Sequence, residues 1–369
     1  MNSYYKKIII RRNYTQFFPR YVFPDYNILK SDFKGHQMKA LRKIESIAPQ
    51  LNMILELRDV RAPLATKNIL FDKLLADWKY NDIDRLIVYT KKDLIQNQSL
   101  VINKLNNWHN EMNEQFMLVD ARCKKDARNL YKIIRFKSDQ LINKIGMPLP
   151  MGFKILITGI PNLGKSTLIN SLRSIGKMGE DFVGKYKKVA KTGNEAGITR
   201  STSECIKITP NNNHTKQPIY LIDTPGIGLP GRISNEIKML SQSLCGSLKT
   251  NLIDPVIIAD YLLYLMNLQK CYGNQEFYPD HLTNPTNDIY EVLQRLRTNK
   301  SQDEKSLAMK WITHWSRYGK NIMFDIETLL SSEEFSYKNY TQQELNKLGN
   351  LTINPKGNSK TRFINNLFY

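Results

Sequence analysis

Acidic residues are scarce: 34 Asp and Glu face 54 Lys and Arg in 369 residues, leaving a formal charge of +20 at pH 7. A surface field of that sign favours a polyanionic partner, either nucleic acid or an acidic membrane face. Cysteine is scarcer still. Cys123, Cys205, Cys245 and Cys271 stand far apart with no CxxC pair, so neither a disulfide framework nor a zinc site is signalled, and a reducing compartment fits. No apolar run is long enough for a membrane span. The best window, Leu252 to Leu268, carries Asp254, Pro255 and Asp260 and falls short of the ~20 clean apolar residues required. It reads as a core helix.

The composition that is present, 41% hydrophobic and 24% charged, is that of a globular chain and excludes a mainly disordered or collagen-like one. The length suits about two domains plus tails, at roughly 150 residues per domain.

From Met1 to Pro24 there is no Asp or Glu, while Lys6, Lys7, Arg11, Arg12 and Arg20 stand among apolar residues such as Ile8, Ile9 and Ile10. Such a cationic, acid-free stretch predicts a mitochondrial targeting segment over residues 1–24, with a basic nucleic-acid arm as the competing reading. In a mitochondrial matrix the polyanion would be ribosomal RNA or the acidic lipid of the inner membrane.

Met38, Leu41, Ile44 and Ile47 keep helical spacing, so Gly35 to Ala48 reads as an amphipathic helix. Short apolar runs follow at Met53 to Leu57, Leu86 to Tyr89, Phe116 to Val119 and Lys154 to Thr158, separated by helical stretches. That alternation predicts buried parallel strands in a doubly wound α/β sheet. Glu204 to Thr209 and Ile219 to Asp223 complete six strands, joined across an Asn-rich turn over Pro210 to Gln217. Beyond Gly231 the pattern is helical: Ile233 to Leu244, Val256 to Leu268, Ile289 to Arg297, Ser306 to Arg317 and Ile322 to Leu330. The expected organisation is an α/β domain over 25–231, a small all-α domain over 232–335, and a basic tail over 336–369. Its last segment, Pro355 to Tyr369, holds Lys356, Lys360 and Arg362 among aromatics without acid, which suits RNA or is simply a frayed terminus.

Lys154 to Thr158 leads into Gly159-Ile160-Pro161-Asn162-Leu163-Gly164-Lys165-Ser166-Thr167, and Leu168, Ile169 and Leu172 open a helix. Strand, GxxxxGKS, helix is the context of a phosphate-binding loop. The loop from Gly159 through Asn162, Leu163 and Gly164 to Thr167 turns backbone NH groups onto a β-phosphate. Lys165 reaches the β and γ oxygens, and Ser166 ligates magnesium. An ordinary glycine turn is the bland alternative.

Downstream, Ile219 to Ile222 ends in Asp223-Thr224-Pro225-Gly226. An Asp at a strand end holds magnesium through water and the Gly226 NH meets a γ-phosphate, the DxxG switch of a GTPase. Between these motifs, Thr199 in Gly197-Ile198-Thr199-Arg200 is the candidate switch threonine that closes over magnesium. Guanine specificity needs a carboxylate that accepts from the N1 and N2 donors. It is found upstream rather than downstream. Leu86 to Tyr89 runs into Thr90-Lys91-Lys92-Asp93, and the next strand ends at Val119-Asp120-Ala121-Arg122, where a backbone NH can meet guanine O6. The base motif precedes the phosphate motifs.

In this order of motifs the chain resembles the circularly permuted ribosome-assembly GTPases over about Phe33 to Gly231. Phe33, Gly35, His36, Lys39 and Ala40 are family-like entry residues, and Asp59-Val60-Arg61-Ala62-Pro63 resembles the family's DARxP turn. The resemblance implies a six-stranded P-loop GTPase domain, GTP and GDP with magnesium as ligands, and slow turnover stimulated by the ribosome. It further implies the large mitochondrial ribosomal subunit and its rRNA as partners, a matrix location with peripheral contact to the inner membrane, and a monomer off the ribosome. Thr90 departs from the family's usual Asn, so one guanine contact is weakened while Asp93 keeps discrimination against ATP. Arg122 stands where Lys is common, outside the base edge, with little effect expected.

Ile227 follows Gly226 where a Ras-like enzyme carries the glutamine that orients water, and an isoleucine cannot do so. Asn162 then either holds a potassium ion against the β and γ phosphates or only braces the loop. His36 is either a catalytic group that approaches the γ-phosphate on the ribosome, as the resemblance implies, or a cap. The competing function classes are an RNA-binding scaffold that holds GTP without turnover, and a P-loop ATPase or kinase, which Asp93 argues against.

Overall fold

The computed structural model describes residues 17–28, 42, 44–77, 83–95, 98–178, 205–209, 217–228, 235–249, 251–269, 285–299, 301–318, 322–330 and 334–349. The apolar runs become β1 (Met53–Asp59), β2 (Asp84–Thr90), β3 (Gln115–Leu118), β4 (Phe153–Thr158), β5 (Ile206–Lys207) and β6 (Ile219–Asp223). They form one six-stranded sheet in the order β3-β2-β1-β4-β6-β5. Pairing is parallel except between β5 and β6, which run antiparallel as a hairpin requires.

A parallel sheet must be covered on both faces. Helices α1 (Ile69–Asp77) and α2 (Gln98–Met112) cover one, α1 over Ile54, Leu156 and Ile222 and α2 over Ile87 and Tyr89. Helices α3 (Lys124–Ile145) and α4 (Lys165–Met178) cover the other, over Leu55, Leu57, Ile155 and Leu221. The pairs Asp59 with Thr90 and Glu56 with Thr158 bring the carboxyl ends of β1, β2 and β4 to one edge of the sheet. Ligands of open α/β sheets bind at such an edge.

The later part is helical among the described residues: α5 (Glu236–Leu244), α6 (Pro255–Leu268), α7 (Ile289–Leu296), α8 (Glu304–Tyr318), α9 (Ile326–Leu330) and α10 (Tyr337–Gly349). Asp254 caps α6 by accepting from the Val256 NH at 3.0 Å, with Pro255 in the first turn where its missing NH costs nothing. Ile258 to Asn267 are buried because α5, α7 and α8 pack around them. No described helix is long and apolar enough to cross a membrane.

Of the predicted Gly35 to Ala48 helix, residues 44–47 are helical and run into a 3-10 turn at Ala48–Gln50; residues 29–41 lie outside the described set. Residues 17–24, expected within a targeting segment, seal the helical core. Arg20 pairs with buried Asp260 at 2.6 Å, the Tyr26 hydroxyl donates to the same carboxylate at 2.9 Å, and Phe23 packs on Tyr261 and Tyr264. Residues 1–16 lie outside the described set. Residues 322–325 are not helical: the Phe324 NH donates to Arg61 O at 2.7 Å, and α9 starts at Ile326.

The expectation of a basic tail from residue 336 misses α10, which folds back onto the α/β sheet. Tyr337 is buried, stacks on Trp108, and accepts from Arg58 Nη1 at 2.8 Å and Lys67 Nζ at 3.0 Å. Residues 350–369, with Lys356, Lys360 and Arg362, lie outside the described set.

Candidate functional site

The loop between β4 and α4 is bent by backbone that only particular residues tolerate. Gly159 has φ +144°, and a Cβ there would meet Leu57 O at 2.6 Å; Asn162 and Gly164 take left-handed φ values of +59° and +83°. Backbone turned this way forms a concave nest of NH groups suited to an anion. Leu163 anchors the loop by full burial. Lys165 opens α4, and its ammonium donates to Gly159 O at 3.2 Å and Ile160 O at 2.7 Å. Burial pushes this ammonium down to about 8, against the opposing pull of Asp223. Ser166 and Thr167 are half-buried beside it.

Asp223 ends β6, where burial pushes its carboxyl up to about 6 although Lys165 draws it the other way. Among the described residues its Oδ1 is buried without a hydrogen-bond partner. An orphaned carboxylate oxygen in the field of an ammonium, with Ser166 in the first turn of α4, is a donor set that fits a hydrated divalent cation. The chain then locks down: Thr224 Oγ1 donates to Ile157 O at 2.8 Å, and a Cβ on Gly226 would lie 2.7 Å from the Pro161 backbone. The Ile227 side chain is buried, its NH donates to Gly159 O at 3.2 Å, and Asn68 Nδ2 donates to its carbonyl at 2.7 Å. Thr199 and His36 lie outside the described residues.

The base motif sits at the same sheet edge. Thr90 is buried and its hydroxyl donates to Arg58 O at 3.1 Å, so that donor is already engaged within the sheet. Lys91 adopts φ +60° and places Nζ 2.8 Å from Asp59. Burial alone would raise the Asp59 carboxyl, but Arg61 and Lys91 outweigh it and hold it well below the usual range. Lys92 pairs with Asp126 at 3.2 Å, and Asp126 also accepts from the Asp120 NH at 2.8 Å.

Asp93 lies in the 3-10 turn Lys92–Leu94, half-buried, with Arg122 Nη2 at 2.5 Å from its carboxylate. The sequence places Arg122 outside the base edge, whereas its guanidinium reaches the Asp93 carboxylate. The Arg122 NH in turn donates to Asp120 Oδ1 at 2.9 Å. The Ala121 carbonyl accepts from Ser171 Oγ of α4 at 2.6 Å, tying the Asp120-Ala121-Arg122 loop to the phosphate helix.

Sequence reasoning missed Asn68, which holds Ile227, and the turn after α5. In that turn Gly246 O accepts from Asn162 Nδ2 at 2.6 Å and Ser247 Oγ donates to Pro161 O at 2.7 Å. No local pattern announces these residues, since their partners come from a distant part of the chain.

Comparison with known proteins adds four findings. The family described as 50S ribosome-binding GTPase matches residues 154–304. The chain is 54% identical over 348 residues to mitochondrial GTPase 1 of Saccharomyces cerevisiae, covering 94% of each chain. It is 30% identical over 251 residues to mitochondrial ribosome-associated GTPase 1 of Mus musculus, covering 67% of this chain and 69% of that one. Among solved structures, GNP-bound YlqF from T. maritima is similar at 18% identity and a TM-score of 0.45, covering 78% of this chain and 97% of that one.

Proposed function

The chain belongs to the mitochondrial GTPase 1 family, and on that premise we propose that it is a GTP-hydrolysing switch that assists assembly of the large mitochondrial ribosomal subunit. The observation that carries this reading is that a base motif early in the chain and a phosphate motif later in it share one sheet edge, stitched together by Ser171 of the phosphate helix on Ala121 of the base loop. Asp93 accepts from guanine N1 and N2, an offer the adenine edge cannot match. The Thr90 hydroxyl, engaged by Arg58 O, leaves the base with one contact fewer, so affinity is modest. Lys165 and the NH groups of the Gly159 to Thr167 loop hold the phosphates.

Ser166, Asp223 and Thr199 would hold magnesium, which when bound neutralises charge on the β and γ oxygens. Ile227 is locked into the core and orients no water. Completion of the site therefore falls to His36 or to Asn162 with a potassium ion, which makes turnover slow in isolation and faster on the ribosomal subunit. The partners are that subunit and its rRNA. The location is the matrix, with peripheral contact to the inner membrane, and the free protein is a monomer.

The same Ile227 and Thr90 geometry favours a second reading, a scaffold that holds GTP without turnover. Single-turnover hydrolysis with purified large subunits, in potassium and then in sodium, separates the two. The switch reading expects hydrolysis stimulated by the subunit and abolished in Lys165→Ala. Unaltered turnover in that variant rejects the site assignment.

A further inference from the structure

Lys91 follows β2, opens the turn that carries Asp93, and stands in left-handed backbone at φ +60° and ψ +32°. A long side chain seldom adopts that conformation, because its Cβ crowds the neighbouring carbonyl at a cost that something else must offset. The ammonium is pinned as well: Nζ lies 2.8 Å from Asp59 Oδ2 at the end of β1. Backbone and side chain are thus both fixed just ahead of Asp93.

Asp59 does not need this second cation. Arg61 alone reaches both carboxylate oxygens, its NH at 3.0 Å and Nε at 3.1 Å from Oδ1, and its Nη2 at 2.9 Å from Oδ2. Adding Lys91 to Oδ2 sets two like charges beside one oxygen of a fully buried side chain, where a low dielectric strengthens their repulsion. The carboxylate is itself held firmly. The Asp59 NH donates to Thr66 Oγ1 at 3.0 Å, the Arg61 guanidinium lies 4.5 Å from the centre of the Phe324 ring, and Arg61 O accepts from the Phe324 NH. For folding this is one cation too many; for holding a lysine at fixed reach it is a rigid post.

Sheet order explains what that reach serves. β1 lies between β2 and β4, with Asp59 in register with Thr90. A side chain that leaves the end of β2 and lands on Asp59 therefore points toward the loop after β4, which is the phosphate loop. Lys91 Nζ is also 3.5 Å from Cys245 O, whose neighbours Gly246 and Ser247 hold Asn162 and Pro161 of that loop. A nucleotide with its base at Asp93 and its phosphates at Lys165 must cross the ground that the Lys91 stem covers.

We infer that Asp59 is a positioning residue for guanine recognition: through Lys91 it holds the turn that aims Asp93 and lays the lysine's apolar stem along the path of base and ribose. This inference rests on the GTP-binding reading above and names the residue that sets its selectivity.

The test measures displacement of a ribose-labelled fluorescent GDP by GTP, inosine triphosphate, ATP and inorganic tripolyphosphate, from the full chain and from Asp59→Asn, Lys91→Met and the double variant. Inosine lacks the N2 donor of guanine, so the preference for GTP over inosine triphosphate reads the aim of Asp93. Tripolyphosphate reads the phosphate loop with no base present. Each single variant should bind GTP about tenfold more weakly, the loss expected of a hydrogen-bonded charge pair. The preference over inosine triphosphate should shrink toward unity while tripolyphosphate affinity is unchanged. The double variant should bind no more than about twofold below the weaker single one, because neither partner acts without the other. Since Asp59→Asn strands the buried Arg61 guanidinium, a second version combines it with Arg61→Gln, which leaves no unpaired charge inside and carries the same expectations.

A loss from Asp59→Asn that persists in full in the Lys91→Met background overturns the inference, because Asp59 then acts on the fold and not through the lysine. So do single variants that lose tripolyphosphate as steeply as GTP, or that keep the wild-type preference over inosine triphosphate. Wild type that selects GTP over ATP and hydrolyses it, beside an Asp59→Asn variant that binds as tightly, removes the positioning residue alone. Wild type that selects guanine through this pair without turning GTP over leaves Asp59 in its role and removes the switch.

Discussion

Asn162 of the phosphate loop donates its side-chain amide to the carbonyl of Gly246 at 2.6 Å, joining that loop to the turn that ends α5. Ser247 reaches Pro161 O at 2.7 Å from the same turn, and Lys91 of the base motif reaches Cys245 O at 3.5 Å. One turn of the helical part thus touches both ends of the candidate nucleotide site. On the switch reading, a shift of the loop on exchange of GTP for GDP would reach α5 through these bonds. Ser247→Ala removes a single donor worth about 1 kcal/mol, so GTP affinity should fall about fivefold with the fold intact. Large-subunit affinity, which should differ between a non-hydrolysable GTP analogue and GDP in wild type, should differ less in this variant. Equal coupling in both proteins counts against the turn.

On the proposed reading guanine selection falls to the Asp93 carboxylate, and Arg122 lies across it in a largely exposed ion pair. Exposed pairs contribute little because water screens them. Asp93→Asn should therefore erase the preference for GTP over ATP by about two orders of magnitude, while Arg122→Ala should change GTP affinity no more than about threefold. Competition of ATP against a fluorescent guanine nucleotide measures both. A large loss in Arg122→Ala would make the arginine a base-binding residue.

The sheet was legible because its strands alternate with helices and its apolar runs need burial on both faces. The glycine and lysine of the phosphate loop carry their own signature. The rest hid in polar burial. β1 contains Glu56 and Arg58, both buried, because the Arg58 and Arg85 guanidinium groups reach the Glu56 carboxylate inside the protein. A charge in mid-strand gives no hint of such partners. Helix α10 was invisible for the same reason. Its inward residues Tyr337, Thr341, Glu344 and Leu348 are mostly polar, so no apolar period marks them. Their partners are Lys67 at 2.7 Å from Thr341 and Lys238 at 3.0 Å from Glu344.

The Tyr337 hydroxyl accepts from both Arg58 and Lys67. Tyr337→Phe keeps the ring against Trp108 but leaves two buried cations short of an acceptor. Since a buried charged donor without its partner costs about 1–3 kcal/mol, chemical denaturation should show a loss of about 2 kcal/mol or more. The companion variant Tyr340→Phe, at a less buried ring, should show little change. Comparable effects would mean that the hydroxyl of Tyr337 is not what pins α10.

Asp223 titrates near 6 in the folded chain instead of 3.8, because burial disfavours its charged form more than Lys165 favours it. The folded state therefore holds this proton more tightly than the unfolded chain. The stability that follows is fully present below about pH 4 and is lost as pH rises through 6, a cost of about 3 kcal/mol by pH 7 for a shift of this size. Asp223→Asn carries no such titration. Without nucleotide, wild type should lose about 3 kcal/mol relative to the variant between pH 4 and pH 7.5, read from denaturation at each pH. Magnesium-dependent GTP binding should be lost in the same variant, because Asn offers no charge to the cation. A stability difference that stays flat across this range would mean that the carboxylate is already satisfied in the folded chain, and with it the argument that Asp223 is held ready for a cation would fail.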